Sequence, residues 1–117
     1  MKRVLMFVVL ALCGTPTFAE FWAGNDLVNL MRDYEKAASG DKITDYSHAT
    51  EFRGFVLGVH DSHEGRGEFC SPPKGTVGQI GAVVVKYLNA HPEQWSEPAH
   101  TLVLRALKEA FPCPRSR

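Results

Sequence analysis

Residues 99–114 read Ala-His-Thr-Leu-Val-Leu-Arg-Ala-Leu-Lys-Glu-Ala-Phe-Pro-Cys-Pro, and this stretch decides the fold. Ala99, Leu102, Val103, Ala106, Leu107 and Ala110 recur at spacings of three and four, which sets them on one continuous face of an α-helix. The helix is expected to start near Ser96, with Pro98 tolerated in its first turn, and to stop at Phe111-Pro112-Cys113-Pro114.

Three further helices follow from the same pattern. Upstream of the quoted stretch, Asn89-Ala90-His91-Pro92 breaks a segment whose apolar face is Ile80, Val83, Val84, Tyr87 and Leu88. Thr76 and Gln79 fit a capping box at its start. A second helix runs from about Tyr46 to His63, with Ala49, Phe52, Val56 and Val59 on one side. The first helix begins after Gly24, with Asn25 or Asp26 as its cap, and carries Leu27, Leu30, Met31 and Tyr34 as its stripe before Ser39-Gly40-Asp41 ends it. Lys42 to Ser47 is a polar connection. Residues 64–75 hold three Gly and two Pro and form the longest irregular segment. No strand pattern or internal repeat competes, so the expected fold class is all-α, a small bundle of about four helices.

The chain has 117 residues, with 13 Lys and Arg balancing 13 Asp and Glu. That length suits one small domain. The balance excludes a polybasic nucleic-acid binder and an acidic solvating tail. A hydrophobic fraction of 44% against 22% charged residues is too apolar for a disordered chain.

The start of the chain has the form of a secretory signal peptide: Lys2 and Arg3, an apolar run from Val4 to Leu12, then Thr17-Phe18-Ala19 with small residues at both peptidase positions. Residues 1–19 are therefore expected to be removed, leaving residues 20–117 as a single helical domain in the periplasm. The apolar run is too short to span a bilayer. An uncleaved anchor is one alternative, and a lipoprotein acylated on Cys13 is another, although Leu12 is bulky where that signal takes Gly or Ala. Cleavage leaves 11 basic and 13 acidic residues, a net charge of −2. No later apolar run is long enough to span a membrane. Cys70 and Cys113 remain, and in an oxidising compartment they are expected to form one disulfide. It would close a loop of about 44 residues, worth roughly 4 kcal/mol on the chain-entropy account. Cys70 as a nucleophile is disfavoured by the available partner thiol.

Catalytic signatures are sparse. No serine sits in a nucleophile elbow and no glycine-rich loop follows a strand. His60, His63 and Glu64, with Asp61 adjacent, lie at spacings that can share a helix face and hold a metal, but the sequence places no fourth ligand. Two histidines also suit the negative C-terminal end of a helix, the simpler reading. His48, His91 and His100 are dispersed. Gly54 and Gly58, four apart in the second helix, are expected to admit close approach of another helix, or of a second copy of the chain; on that reading Gly58→Leu would overpack the patch and destabilise by about 2 kcal/mol or more.

Several segments in order carry a resemblance: Gly24-Asn25-Asp26-Leu27, Gly54-Phe55-Val56-Leu57-Gly58-Val59-His60-Asp61, Phe69-Cys70-Ser71-Pro72, Gly75-Thr76-Val77-Gly78-Gln79, Tyr87-Leu88-Asn89-Ala90-His91-Pro92-Glu93 and Ala110-Phe111-Pro112-Cys113. Together they resemble the Rap/Tai family of type VI secretion immunity proteins. The resemblance implies an exported helical inhibitor, without cofactor or catalysis, that binds and blocks a peptidoglycan amidase delivered by neighbouring bacteria. A homodimer is a further possibility for such a protein. Many relatives carry a Cys in the first helix and another before the glycine pair, where this chain reads Leu30-Met31-Arg32 and Glu51-Phe52-Arg53. One disulfide of that pattern is absent, and Met31 and Phe52 are expected to fill its space. Within residues 61–75, Arg66 and Glu68 are expected to offer charged contacts to the partner, and Phe69 apolar area; the plainer alternative is that Phe69 packs inward. A periplasmic accessory or chaperone-like protein without a toxin target is the alternative function.

Overall fold

A computed structural model describes residues 22–42 and 44–115. Residues 1–19, expected to be a signal peptide, and Cys13 within them lie outside the described residues. Among those described, the elements are α1 (Gly24–Ala38), α2 (Tyr46–His63), α3 (Val77–Ala90) and α4 (Ala99–Ala110), with a 3₁₀ turn at Pro92–Gln94 and no strand beyond one isolated bridge. The fold is an all-α bundle, as the periodicities require.

Each helix packs on all three others. The shared core holds Leu27, Leu30 and Met31 from α1, Phe52 and Val56 from α2, Ile80, Val84 and Leu88 from α3, and Leu102, Val103, Ala106 and Leu107 from α4. Burying a Leu or Phe side chain is worth about 1.5–3 kcal/mol, so these stripes supply the main driving force. Met31 and Phe52 are 1% and 0% exposed and fill the interior between α1 and α2. Three residues of the expected stripes fall short of full burial: Tyr34, Val59 and Val83 are half-buried. Ala110, expected on the inner face of α4, is exposed. On α2 the inner row is completed by His60 in place of Val59.

The caps explain the boundaries. Asp45 accepts from the backbone N–H groups of Ser47 and His48 at 2.9 and 3.3 Å and starts α2. Thr76 Oγ1 accepts from Gln79 N–H at 3.1 Å and starts α3. At α1 the N-cap is Ala23, two residues before Asn25 and three before Asp26, the expected caps; Asp26 instead reaches back to accept from the Ala23 N–H at 3.0 Å.

Helix α4 starts at Ala99, not near Ser96. The reason is tertiary. The backbone before Ala99 is committed to the segment leading into α1: Gly24 N–H donates to Glu97 O at 2.8 Å, and Ala99 N–H to Trp22 O at 3.0 Å. Asn25 N–H also donates to Trp95 O at 2.7 Å. Trp95 is held in turn by its indole N–H on Leu88 O at 2.8 Å. This seam joins the start of α1 to the α3–α4 connection.

The glycine pair on α2 overturns its expectation. Gly54 and Gly58 are exposed, and a Cβ added at either meets nothing within 4 Å. Among the described residues no helix approaches them, so the strong destabilisation expected of Gly58→Leu is withdrawn for the isolated chain.

Candidate functional site

Residues 64–75, the irregular segment between α2 and α3, are fixed at several points. Gly65 and Gly67 have φ of 78° and 79°, in the left-handed region that only glycine adopts without cost, and they reverse the chain as it leaves α2. The Cys70–Cys113 disulfide, with Cα atoms 4.8 Å apart, fastens the segment to the end of α4. Cys70 N–H also donates to Phe111 O at 2.8 Å.

The side chains tighten the same attachment. Phe69 is 3% exposed and lies 5.3 Å, centroid to centroid, from the His60 ring. Its apolar area is therefore spent on the core, and the expectation that it offers surface to a partner is corrected: the plainer alternative holds. Glu68 bridges two helices, meeting His63 Nδ1 on α2 at 2.9 Å and Lys108 Nζ on α4 at 3.3 Å. The His63 hydrogen bond first, and Lys108 second, hold the Glu68 carboxyl below its ordinary value. Glu68 thus anchors the loop before it can serve a partner. Arg66 is exposed, as expected, and so are Pro72, Pro73, Lys74 and Gly75. Sequence reasoning did not single out Lys74; its position between two prolines and a glycine was the available signal.

Among the described residues His60 is the one charged or polar residue in the buried set, at 8% exposure. Its Nδ1 lies 2.8 Å from Asp61 Oδ1, and its Nε2 lies 2.8 Å from Ser71 Oγ. The order Ser71–His60–Asp61 has the connectivity of an acyl-transfer relay. The environment differs: the relay acid is buried in such enzymes, whereas the Asp61 side chain is 74% exposed and solvated. In this fold the chain of bonds ties the last turn of α2 to the loop. Of the residues grouped by spacing, the structure brings together His60, Asp61 and Glu64, while His63 turns away to Glu68.

A covalently and ionically braced loop on a four-helix core defines a small helical domain with a fastened surface loop. Among the described residues no helix is long and apolar enough to cross a membrane. A sequence model of one family, Rap1a immunity proteins, matches residues 23–113, which takes in all four helices, the loop and the disulfide. The chain belongs to the Rap1a immunity protein family. Its family role is that of a non-enzymatic inhibitor, and its partner is a secreted protein effector. No curated protein and no solved structure matches the chain.

Proposed function

We propose that this protein is exported to the periplasm and there binds and blocks a peptidoglycan amidase delivered by a type VI secretion system. The observation that carries the reading is the family match across residues 23–113. Two features support its finer parts. Residues 1–19 have the form of a signal peptide, and the Cys70–Cys113 disulfide suits an oxidising compartment.

The contact surface in this reading is the exposed part of residues 64–75. A loop held by a disulfide and by the Glu68 bridges loses less conformational freedom on binding than a free one. Arg66 and Lys74 are its exposed cations and suit an effector surface rich in carboxylates.

The test is a strain that directs a cognate amidase to its own periplasm. Co-expression of the full chain should prevent lysis, and the exported protein should have an intact mass that begins at Glu20 and contains the disulfide. Arg66→Ala combined with Lys74→Ala should weaken amidase binding at least tenfold while leaving the melting temperature unchanged. Lysis unaffected by the full chain would overturn the amidase reading. A retained leader would overturn the export reading, and full protection by the double variant would move the contact surface off this loop.

A further inference from the structure

The last turn of α2 and the loop enclose a cleft of about 260 Å³, lined among others by Leu57, His60, Asp61, Ser71, Thr76 and Ile80. Three donor groups meet at its mouth: an imidazole nitrogen of His60 and one carboxylate oxygen each of Asp61 and Glu64, all within 4.8 Å of one another. We propose that this is a binding site for a single zinc-type divalent ion, a further role beyond the inhibitory one argued above, with Glu64 at the start of the same loop.

The strongest support is the setting of the imidazole. His60 is the buried member, and its Nε2 is engaged by Ser71 Oγ at 2.8 Å. That contact fixes the ring plane and leaves Nδ1 directed at Asp61. Metal-binding histidines have this arrangement, one nitrogen on the ion and the other held by a hydrogen-bonding group that orients the ring. Ser71 is itself fixed, because its neighbour Cys70 is bonded to Cys113.

The donor set selects the metal. One imidazole with two carboxylates suits zinc and its borderline neighbours better than calcium, which takes six or more oxygens. Tetrahedral zinc, with bonds of about 2.0–2.2 Å, sets its ligand atoms about 3.4 Å apart. His60 Nδ1 and Asp61 Oδ1 stand at 2.8 Å, so they must part slightly; Glu64 must close in. Both carboxylate side chains are exposed and free to make these small adjustments, while the buried imidazole stays in place. The three protein groups leave a fourth position open to water. The site also lies at the C-terminal end of α2, where the helix dipole favours a cation. Binding would exchange the His60–Asp61 hydrogen bond for a metal link between the same residues and Glu64, stiffening the point where α2 passes into the loop.

The experiment is calorimetric titration of the untagged, exported protein with zinc chloride, with melting curves alongside. Wild type should take up one equivalent of zinc and melt at a higher temperature when loaded. Asp61→Asn with Glu64→Gln should lose at least tenfold in zinc affinity; both positions are exposed, so this variant keeps its fold. His60→Ala should lose the binding as well, and His91→Ala should leave it intact. No saturable uptake by wild type would overturn the site. So would uptake undiminished in the Asp61→Asn, Glu64→Gln variant, which would place the ion on other donors.

Discussion

Two pairs of glycines behave in opposite ways in this molecule. Gly54 and Gly58 sit on the outside of α2 with open space beyond them. Gly24 and Gly81 sit where helices meet. A Cβ at Gly24 would lie 2.5 Å from Leu102 Cδ1 and 2.8 and 2.9 Å from Trp95 O and Cα. A Cβ at Gly81 would strike the Tyr34 ring at its hydroxyl end, with Cζ at 3.0 Å. The lesson is that spacing alone does not make a packing motif: a glycine matters for packing when it shares the arc of the helix that faces a neighbour. On α2 the inner arc runs through Ala49, Phe52, Val56 and His60. At about 100° per residue, Gly54 and Gly58 stand about 200° and 240° round from Phe52, on the far side. On α3, Gly81 flanks the arc of Ile80, Val84 and Leu88 and is buried with them.

The sharpest break in this comparison is Gly24→Ala. Two of the three nearest atoms belong to the Trp95 backbone, which is pinned by Asn25 N–H and by the Trp95 indole bond to Leu88. Neither can move aside cheaply. The variant should lose about 3 kcal/mol of stability, the upper part of the overpacking range, measured by urea unfolding. A loss below about 1 kcal/mol would mean that the seam yields more readily than its hydrogen bonds imply.

Gly81→Ala should cost less, about 1 kcal/mol net, since alanine is the better helix former and the obstructing atoms end a side chain. Tyr34 is not free to swing, because its ring lies 4.8 Å from that of Phe52. Removing the hydroxyl in a Tyr34→Phe background should therefore recover part of the loss. Additive effects of the two substitutions would place the clash elsewhere.

On α2 the sign reverses. Gly54→Ala and Gly58→Ala should each stabilise the isolated chain by about 0.5–1 kcal/mol, because alanine restricts the unfolded chain and meets no neighbour. The same variants sharpen the functional question. If a second copy or an effector covers this face, the added methyl groups will weaken that association while raising the melting temperature. Sedimentation and amidase binding read the two effects separately.

Much of this was legible in the sequence. The α2 bounds, the cap at Thr76 and most of each apolar stripe rest on local chemistry, and the Cys70–Cys113 pair on the two cysteines left beyond residue 19; these stand in the structure. What was not legible depends on partners far along the chain. Ser96 to Pro98 stay out of α4 because Glu97 O is taken by the Gly24 N–H and the Ala99 N–H donates to Trp22 O. Phe69 sits in a loop of charged and small residues that reads as surface, and only the fold of that loop over His60 turns it inward. His60 itself read as one of two histidines at a helix end. Its burial follows from its place on the Phe52–Val56 arc, a relation that the helical periodicity contained and the apolar pattern, drawn through Val59, obscured.

The smallest effect expected is at the polar margin of the same helix, where α2 meets α1. His48 Nδ1 lies 2.9 Å from Asp33 Oδ2 and 3.6 Å from Asp45 Oδ2, with Lys36 3.7 Å from Asp33 and Glu51 a more distant charge. The hydrogen bond from His48, chiefly, lowers the Asp33 carboxyl below 3.8, and the bond to Asp33 raises His48 above 6.5. The sign differs for each partner. The His48 contribution is fully present below pH 6.5 and is lost as the pH rises through its raised folded value. The Asp33 contribution is present above pH 3.8 and is lost as the pH falls through its depressed folded value. The pair therefore acts fully between those limits. The His48 side chain is about half exposed and Asp33 is half-buried beside it, so water and salt screen the pair, the effect is modest and it should shrink with added salt. Stability curves of wild type and His48→Gln should diverge most within that window and converge on either side of it. A separation constant from pH 3 to pH 9 would show that the ion pair contributes nothing, and that Asp45, capping α2 through Ser47 and His48, holds the corner without it.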